Sequence, residues 1–202
     1  AVGVLMRMDG PAERWLERTS ALEGWRAALG CTRSPGLPSL EACLTRVAAT
    51  YAEPGPWLAF SHGDPAPSNT HLAGRELRLV DFEFGAFRHA LYDLSAWEML
   101  CPLPMPAVKA MRSAFREELA LTLPVARNPA AFDEAWALLC VYRALALLSW
   151  LGPELLNANR PWARHWTGRE AVLVVLSRLR GASAHRQLEP LRTFGAYVNR
   201  IG

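Results

Sequence analysis

Between Ser61 and Glu83 the chain reads SHGDPAPSNTHLAGRELRLVDFE, and no other stretch restricts the fold as much. Pro65 and Pro67 lack a backbone N–H and fix their own φ, so neither a regular helix nor a central strand can run through residues 64–69. That segment has to be a stiff loop. Trp57-Leu58-Ala59-Phe60 before it is a short apolar run, suited to a strand that leads into the loop. Thr70 to Leu72 and Glu76 to Phe82 after it are strand-like, with Gly74 in the turn between them. Along the second strand Leu77, Leu79 and Asp81 fall on one face, and Arg78, Val80 and Phe82 on the other. A hairpin of this length returns Asp81 to the neighbourhood of Asn69.

Loop and hairpin together gather a carboxylate, Asp64, then an amide, Asn69, and a second carboxylate, Asp81, followed at once by Phe82 and Glu83. Phosphoryl transfer to an alcohol uses such groups. A carboxylate accepts the proton of the alcohol, and hard oxygen ligands hold Mg²⁺. The tripeptide His62-Gly63-Asp64 alone is common in loops; the weight lies on the combined spacing. Taken together, HGDxxxxN, a hairpin and VDFE resemble the catalytic core of the aminoglycoside phosphotransferase and choline kinase family. These are small-molecule kinases related in fold to protein kinases. The next segment, FGAFRHALYDLSAW, extends the resemblance. It places Asp93-Leu94 where family members carry an Asp-Leu pair after the metal aspartate.

The resemblance implies ATP-dependent transfer of the γ-phosphoryl group to a hydroxyl of a small molecule, an aminoglycoside, choline or similar amino-alcohol. ATP is then the donor and Mg²⁺ the cofactor. By the same resemblance Asp64 is the catalytic base, and Asn69 and Asp81 hold the metal on the nucleotide phosphates. Glu83 either reaches the metal, directly or through water, or bonds nearby backbone. His62 and Asp93 support the loop, Asp93 by accepting backbone N–H bonds near His62 to Asp64. The substrate pocket of the family is built from helices after Asp93. Here these offer Trp97, Trp136, Trp150, Trp162 and Trp166, and the acids Glu98, Asp133, Glu134 and Glu154. Tryptophans can cage a quaternary ammonium and acids can hold amines, but most of these tryptophans are expected in the core.

Val2 to Met8 reads as a strand ending at Asp9-Gly10-Pro11 and is similar to the hinge between the two lobes of such kinases. The expected organisation is therefore a hinge-like strand over residues 1–10 and a helical catalytic and substrate lobe over residues 11–202. The fold class expected is mainly α with a small β-hairpin, the carboxy-terminal lobe of a protein-kinase-like α+β fold with the amino-terminal lobe missing. Lys109 is the only lysine in a chain with 22 Lys and Arg, and it follows the motifs. No Gly-rich loop precedes them. A non-catalytic, kinase-derived module that binds a ligand or partner is the alternative, and self-association could stand in for the absent lobe.

Periodicity marks the helices. Pro11 opens one that runs to Gly30. Ser39 can cap the next, with Leu40, Leu44, Val47 and Tyr51 on one buried face. Leu91 to Cys101 and the pattern Val108, Met111, Phe115, Leu119 give two more, with Phe84 to Ala90 irregular before them. Asn128-Pro129 opens a long buried helix from Ala130 to Leu151, and Thr167-Gly168-Arg169-Glu170 is a capping box for a helix ending at Gly181. Leu188 to Val198 forms the last.

Of 202 residues, 51% are hydrophobic and 20% charged, an ordinary globular balance with a net charge of +3. The basic excess sits in residues 155–202 and reads as a solvated helix face rather than a nucleic-acid surface. Cys31, Cys43, Cys101 and Cys140 show no metal-ligand spacing, so reduced thiols are expected. Ala135 to Leu151 is short for a membrane span and contains Arg143. With no secretory signal in the sequence, the expectation is a cytoplasmic protein without a membrane partner.

Overall fold

The computed structural model describes residues 24, 25, 27, 28, 37–101, 103–157, 161–163, 166–185, 188 and 191. The hinge-like strand, most of the helix from Pro11 to Gly30 and most of the last helix lie outside them. The described residues form a mainly helical structure with small antiparallel β ladders.

The first long helix, α1 (Leu37–Ala52), begins two residues before Ser39, with Pro38 in its first turn. Proline is pre-set for that position and needs no donor there, so the start does not depend on Ser39. Leu40, Cys43, Leu44 and Val47 are buried, which is the face expected. Then come β1 (Leu58–Ser61), β2 (Thr70–Ala73), β3 (Glu76–Leu79) and β4 (Ala86–His89). Next are α2 (Tyr92–Leu100), α3 (Met105–Thr122) and α4 (Pro129–Trp150). A short ladder of β5 (Pro161–Ala163) and β6 (Trp166–Thr167) precedes α5 (Gly168–Ala182).

Helix α4 is the centre of the core and packs against α1, α2 and α5. Its sequence is apolar almost all round, which is what a helix enclosed on every side needs. Asn128 caps it, Oδ1 accepting from the N–H groups of Ala130 and Ala131. The capping box of α5 is closed in both directions, Thr167 N–H donating to Glu170 and Glu170 N–H to Thr167 Oγ1. Trp25 reaches this core from far upstream: it is fully buried, and its indole N–H donates to Leu148 O at 2.7 Å.

Two parts of the β structure depart from the sequence reading. Strand β3 ends at Leu79 instead of Phe82. Asp81 adopts φ +64 and ψ +62, and Phe82–Phe84 form a 3₁₀ turn, so the two-residue alternation stops before Asp81. The segment expected to be irregular, residues 84–90, contains β4, which pairs with β1 from Leu58↔His89 to Ser61↔Ala86. Its pattern is inverted: Phe87 and its partner Phe60 face outward, while Ala59, Ser61, Ala86 and Arg88 share the more buried face. A strand that points phenylalanine at solvent and arginine inward carries no amphipathic signal. The hairpin β2–β3 is as expected, with the two-residue turn Gly74-Arg75 and Gly74 at φ +64.

Candidate active site

Strand β1 delivers the chain into the loop at His62. The loop is gripped from below by the first turn of α2. Asp93 Oδ2 accepts from His62 N–H at 2.7 Å and Oδ1 from Gly63 N–H at 2.9 Å. The carboxylate sits where a helix amino terminus already favours negative charge. The contacts expected for Asp93 are therefore made, and it is half-buried. Gly63 stands at φ +88, and a side chain there would collide with Phe84 O and with the Arg88 guanidinium. Only glycine combines that backbone with so close an approach.

His62 is buried and ties the loop to the end of the hairpin. Its Nδ1 faces Asp64 N–H at 3.3 Å, so Nδ1 accepts and Nε2 carries the proton, donating to Val80 O at 2.7 Å. The ring also packs on Phe82, centroids 4.3 Å apart. One side chain thus spans from the backbone N–H of Asp64 to Val80, the residue before Asp81.

Asp64 and Asn69 are brought into direct contact. Asn69 Nδ2 donates to Asp64 O at 3.0 Å and to Asp64 Oδ2 at 3.2 Å. Because a backbone carbonyl only accepts, the nitrogen must face Asp64, which turns Asn69 Oδ1 the other way, toward Ser68 Oγ. The stiff loop comes from the prolines: Pro67–Asn69 is a single 3₁₀ turn. Asn69 O then accepts from Val80 N–H at 3.0 Å, so the hairpin returns the chain to Asn69 one residue before Asp81. Asp64 and Asn69 are half-buried; Asp81 and Glu83 are exposed.

Among the described residues no group of three or more His, Cys, Asp or Glu converges as a metal site. The expected set is of another kind, one amide and two carboxylates. Carboxylate and amide oxygens are the hard donors Mg²⁺ takes, and the free face of Asn69 Oδ1 is compatible with it.

Two of the four candidate substrate acids are ion-paired. Arg46 pairs with Glu134, and Arg112 pairs with Asp133 at 3.3 Å. Glu98 lies against Trp136 and Cys140 with Arg112 and Arg178 near; burial pushes its carboxyl above the ordinary range, with the arginines opposing. Trp136 is core, as expected for most of the tryptophans. Cys43, Cys101 and Cys140 are buried and free. No helix among the described residues is long and apolar enough to cross a membrane.

Sequence reasoning left Arg88 without a task and noted Arg143 only as a charge in an apolar run. Both guanidiniums meet Tyr92, Arg143 at 3.9 Å and Arg88 at 4.8 Å from the ring centroid. No periodicity links positions 88, 92 and 143, so the cluster has no local signature. No protein-family model matches the chain, and no curated protein matches it.

Proposed function

We propose that this chain is the catalytic and substrate-binding part of an ATP-dependent small-molecule kinase with the carboxy-terminal-lobe architecture of protein-kinase-like enzymes. What supports the reading is one arrangement: Asp64 and Asn69 bonded to each other on a loop clamped by Asp93, with Val80, the residue before Asp81, tied to both Asn69 and His62. Asp64 accepts the proton of an alcohol as it attacks the γ-phosphoryl group. Asn69 orients the Asp64 carboxylate through Nδ2, and Asn69 Oδ1 with the Asp81 carboxylate would hold Mg²⁺. When bound, the metal neutralises charge on the nucleotide phosphates. Glu83, exposed in the turn after Asp81, would assist through water.

The test is ATP turnover and Mg²⁺-dependent nucleotide binding by the purified chain across a panel of small alcohols. Asp64→Ala should abolish turnover and leave the melting temperature near that of the wild type. Asp81→Ala should remove the Mg²⁺ dependence of nucleotide binding. Nucleotide binding that ignores both Mg²⁺ and Asp81 would defeat the reading.

A further inference from the structure

Beside the carboxylates of Asp64, Asp81 and Glu83 stand two positive charges, Arg88 and Arg143. Arg88 Nη2 donates to Phe84 O at 2.7 Å, and its other terminal nitrogen lies against Gly63, next to Asp64. Arg143 projects from the buried helix α4, donates from Nη1 to the Tyr92 hydroxyl at 2.8 Å, and keeps Nε buried with no partner. Ser61 Oγ, on the same face of β1–β4 as Arg88, is also buried and unpartnered. Neither arginine has a carboxylate partner among the described residues. Of the two acids nearest Arg88 in sequence, Asp93 already spends both oxygens on backbone N–H groups and Glu83 is exposed in the turn after Asp81. Two guanidiniums sharing one aromatic ring repel each other, and a half-buried cation is normally paired. An oxyanion between them would supply the missing charge and the missing acceptor, in the geometry arginine suits best.

We propose that Arg88, Arg143 and the Tyr92 hydroxyl form a subsite for a carboxylate or phosphate group carried by the acceptor alcohol. The substrate is then an anionic or zwitterionic alcohol, not one held by its amines. That Asp133 and Glu134 are already paired with arginines agrees with this. The word acceptor rests on the kinase reading; the subsite does not.

Calorimetric titration at low salt, without nucleotide or Mg²⁺, tests it with inorganic phosphate, 4-hydroxybutyrate and choline as probes. Phosphate and 4-hydroxybutyrate should bind and choline should not. Arg88→Gln and Arg143→Gln should each weaken the anions by about tenfold or more, the loss expected for one charge-assisted bond. Arg88 lies on a surface ladder, so its variant keeps the test decisive if Arg143→Gln does not fold; Arg143→Lys then checks the second position. Anion binding that is absent, or equal in wild type and Arg88→Gln, overturns the subsite. ATP binding weakened by Arg88→Gln as strongly as 4-hydroxybutyrate binding would assign the arginines to the donor phosphates and overturn the acceptor assignment. Anion binding lost in the variants, with no nucleotide bound at all, leaves the subsite standing and defeats the kinase reading instead.

Discussion

Asp81 is the one non-glycine residue with positive φ among the described residues, and it stands where the metal ligand is expected. The left-handed region costs a side-chain-bearing residue about 1–2 kcal/mol, less for aspartate than for most. Such strain persists where surrounding structure or function requires it. Asp81→Gly should therefore raise stability in urea by up to about 1 kcal/mol while removing Mg²⁺-dependent nucleotide binding. A destabilised variant would mean that the carboxylate holds the turn together. His89 presents a different residue-scale effect. Fully buried and stacked on Trp57, it accepts from Leu91 N–H through Nδ1, and Nε2 has no partner. Burial lowers its pKa from 6.5 to about 4. The unfolded chain takes up this proton near pH 6.5 and the folded one only near pH 4. Stability is thus complete above pH 6.5 and falls with pH across that window, by on the order of 3 kcal/mol. Glu98 runs the opposite way, its raised pKa costing stability as pH climbs past the usual carboxylate range. The difference between wild type and His89→Gln isolates the imidazole: the variant should lose stability less steeply between pH 6.5 and 4.

Among elements, the decisive contact joins the first turn of α2 to the loop after β1. Asp93→Ala leaves the N–H groups of His62 and Gly63 without acceptors, at about 1–3 kcal/mol each where water cannot replace the carboxylate. Chemical denaturation should register the loss, and amide exchange at His62 and Gly63 should accelerate more than exchange in α4. Uniform acceleration throughout would mean that Asp93 contributes to global stability without specifically holding the loop. The ladder β1–β4 brings Arg88 to this loop, and its inverted pattern explains why it was illegible. Element prediction reads the burial of apolar groups, whereas β4 is fixed by backbone pairing to β1 and by the buried ring of His89 at its end.

At the scale of the molecule, apolar side chains divide unevenly. Helices α1, α2, α4 and α5 enclose a dense core, while Leu58, Phe60, Leu72, Leu77, Phe82, Phe84 and Phe87 are exposed along the strands and turns about the site. Exposed apolar side chains gathered in this way give water-accessible apolar surface a probe can detect. The native chain should enhance the fluorescence of an environment-sensitive dye, and Phe60→Ser with Phe87→Ser should remove much of the signal. Their edge-to-face contact, centroids 5.7 Å apart, limits the stability cost to about 1 kcal/mol. An unchanged dye signal would place the accessible apolar surface elsewhere.

Whatever rests on local chemistry is legible in the chain alone. Prolines at 65 and 67 dictated a loop, Gly74 a turn, Asn128 and Thr167 two helix starts, and alternating or helical spacing the buried faces of α1 and α4. The hairpin length was enough to anticipate the return of the chain to Asn69 just before Asp81, while the bonds from Asn69 Nδ2 to Asp64 came only with the structure. Tertiary structure alone decided the left-handed turn at Asp81, the pairing of β4 with β1, the imidazole bridge from His62 to Val80, and the meeting of Arg88 and Arg143 at Tyr92. Each depends on groups brought together from separate elements, and their interaction energy leaves no periodic trace in the chain.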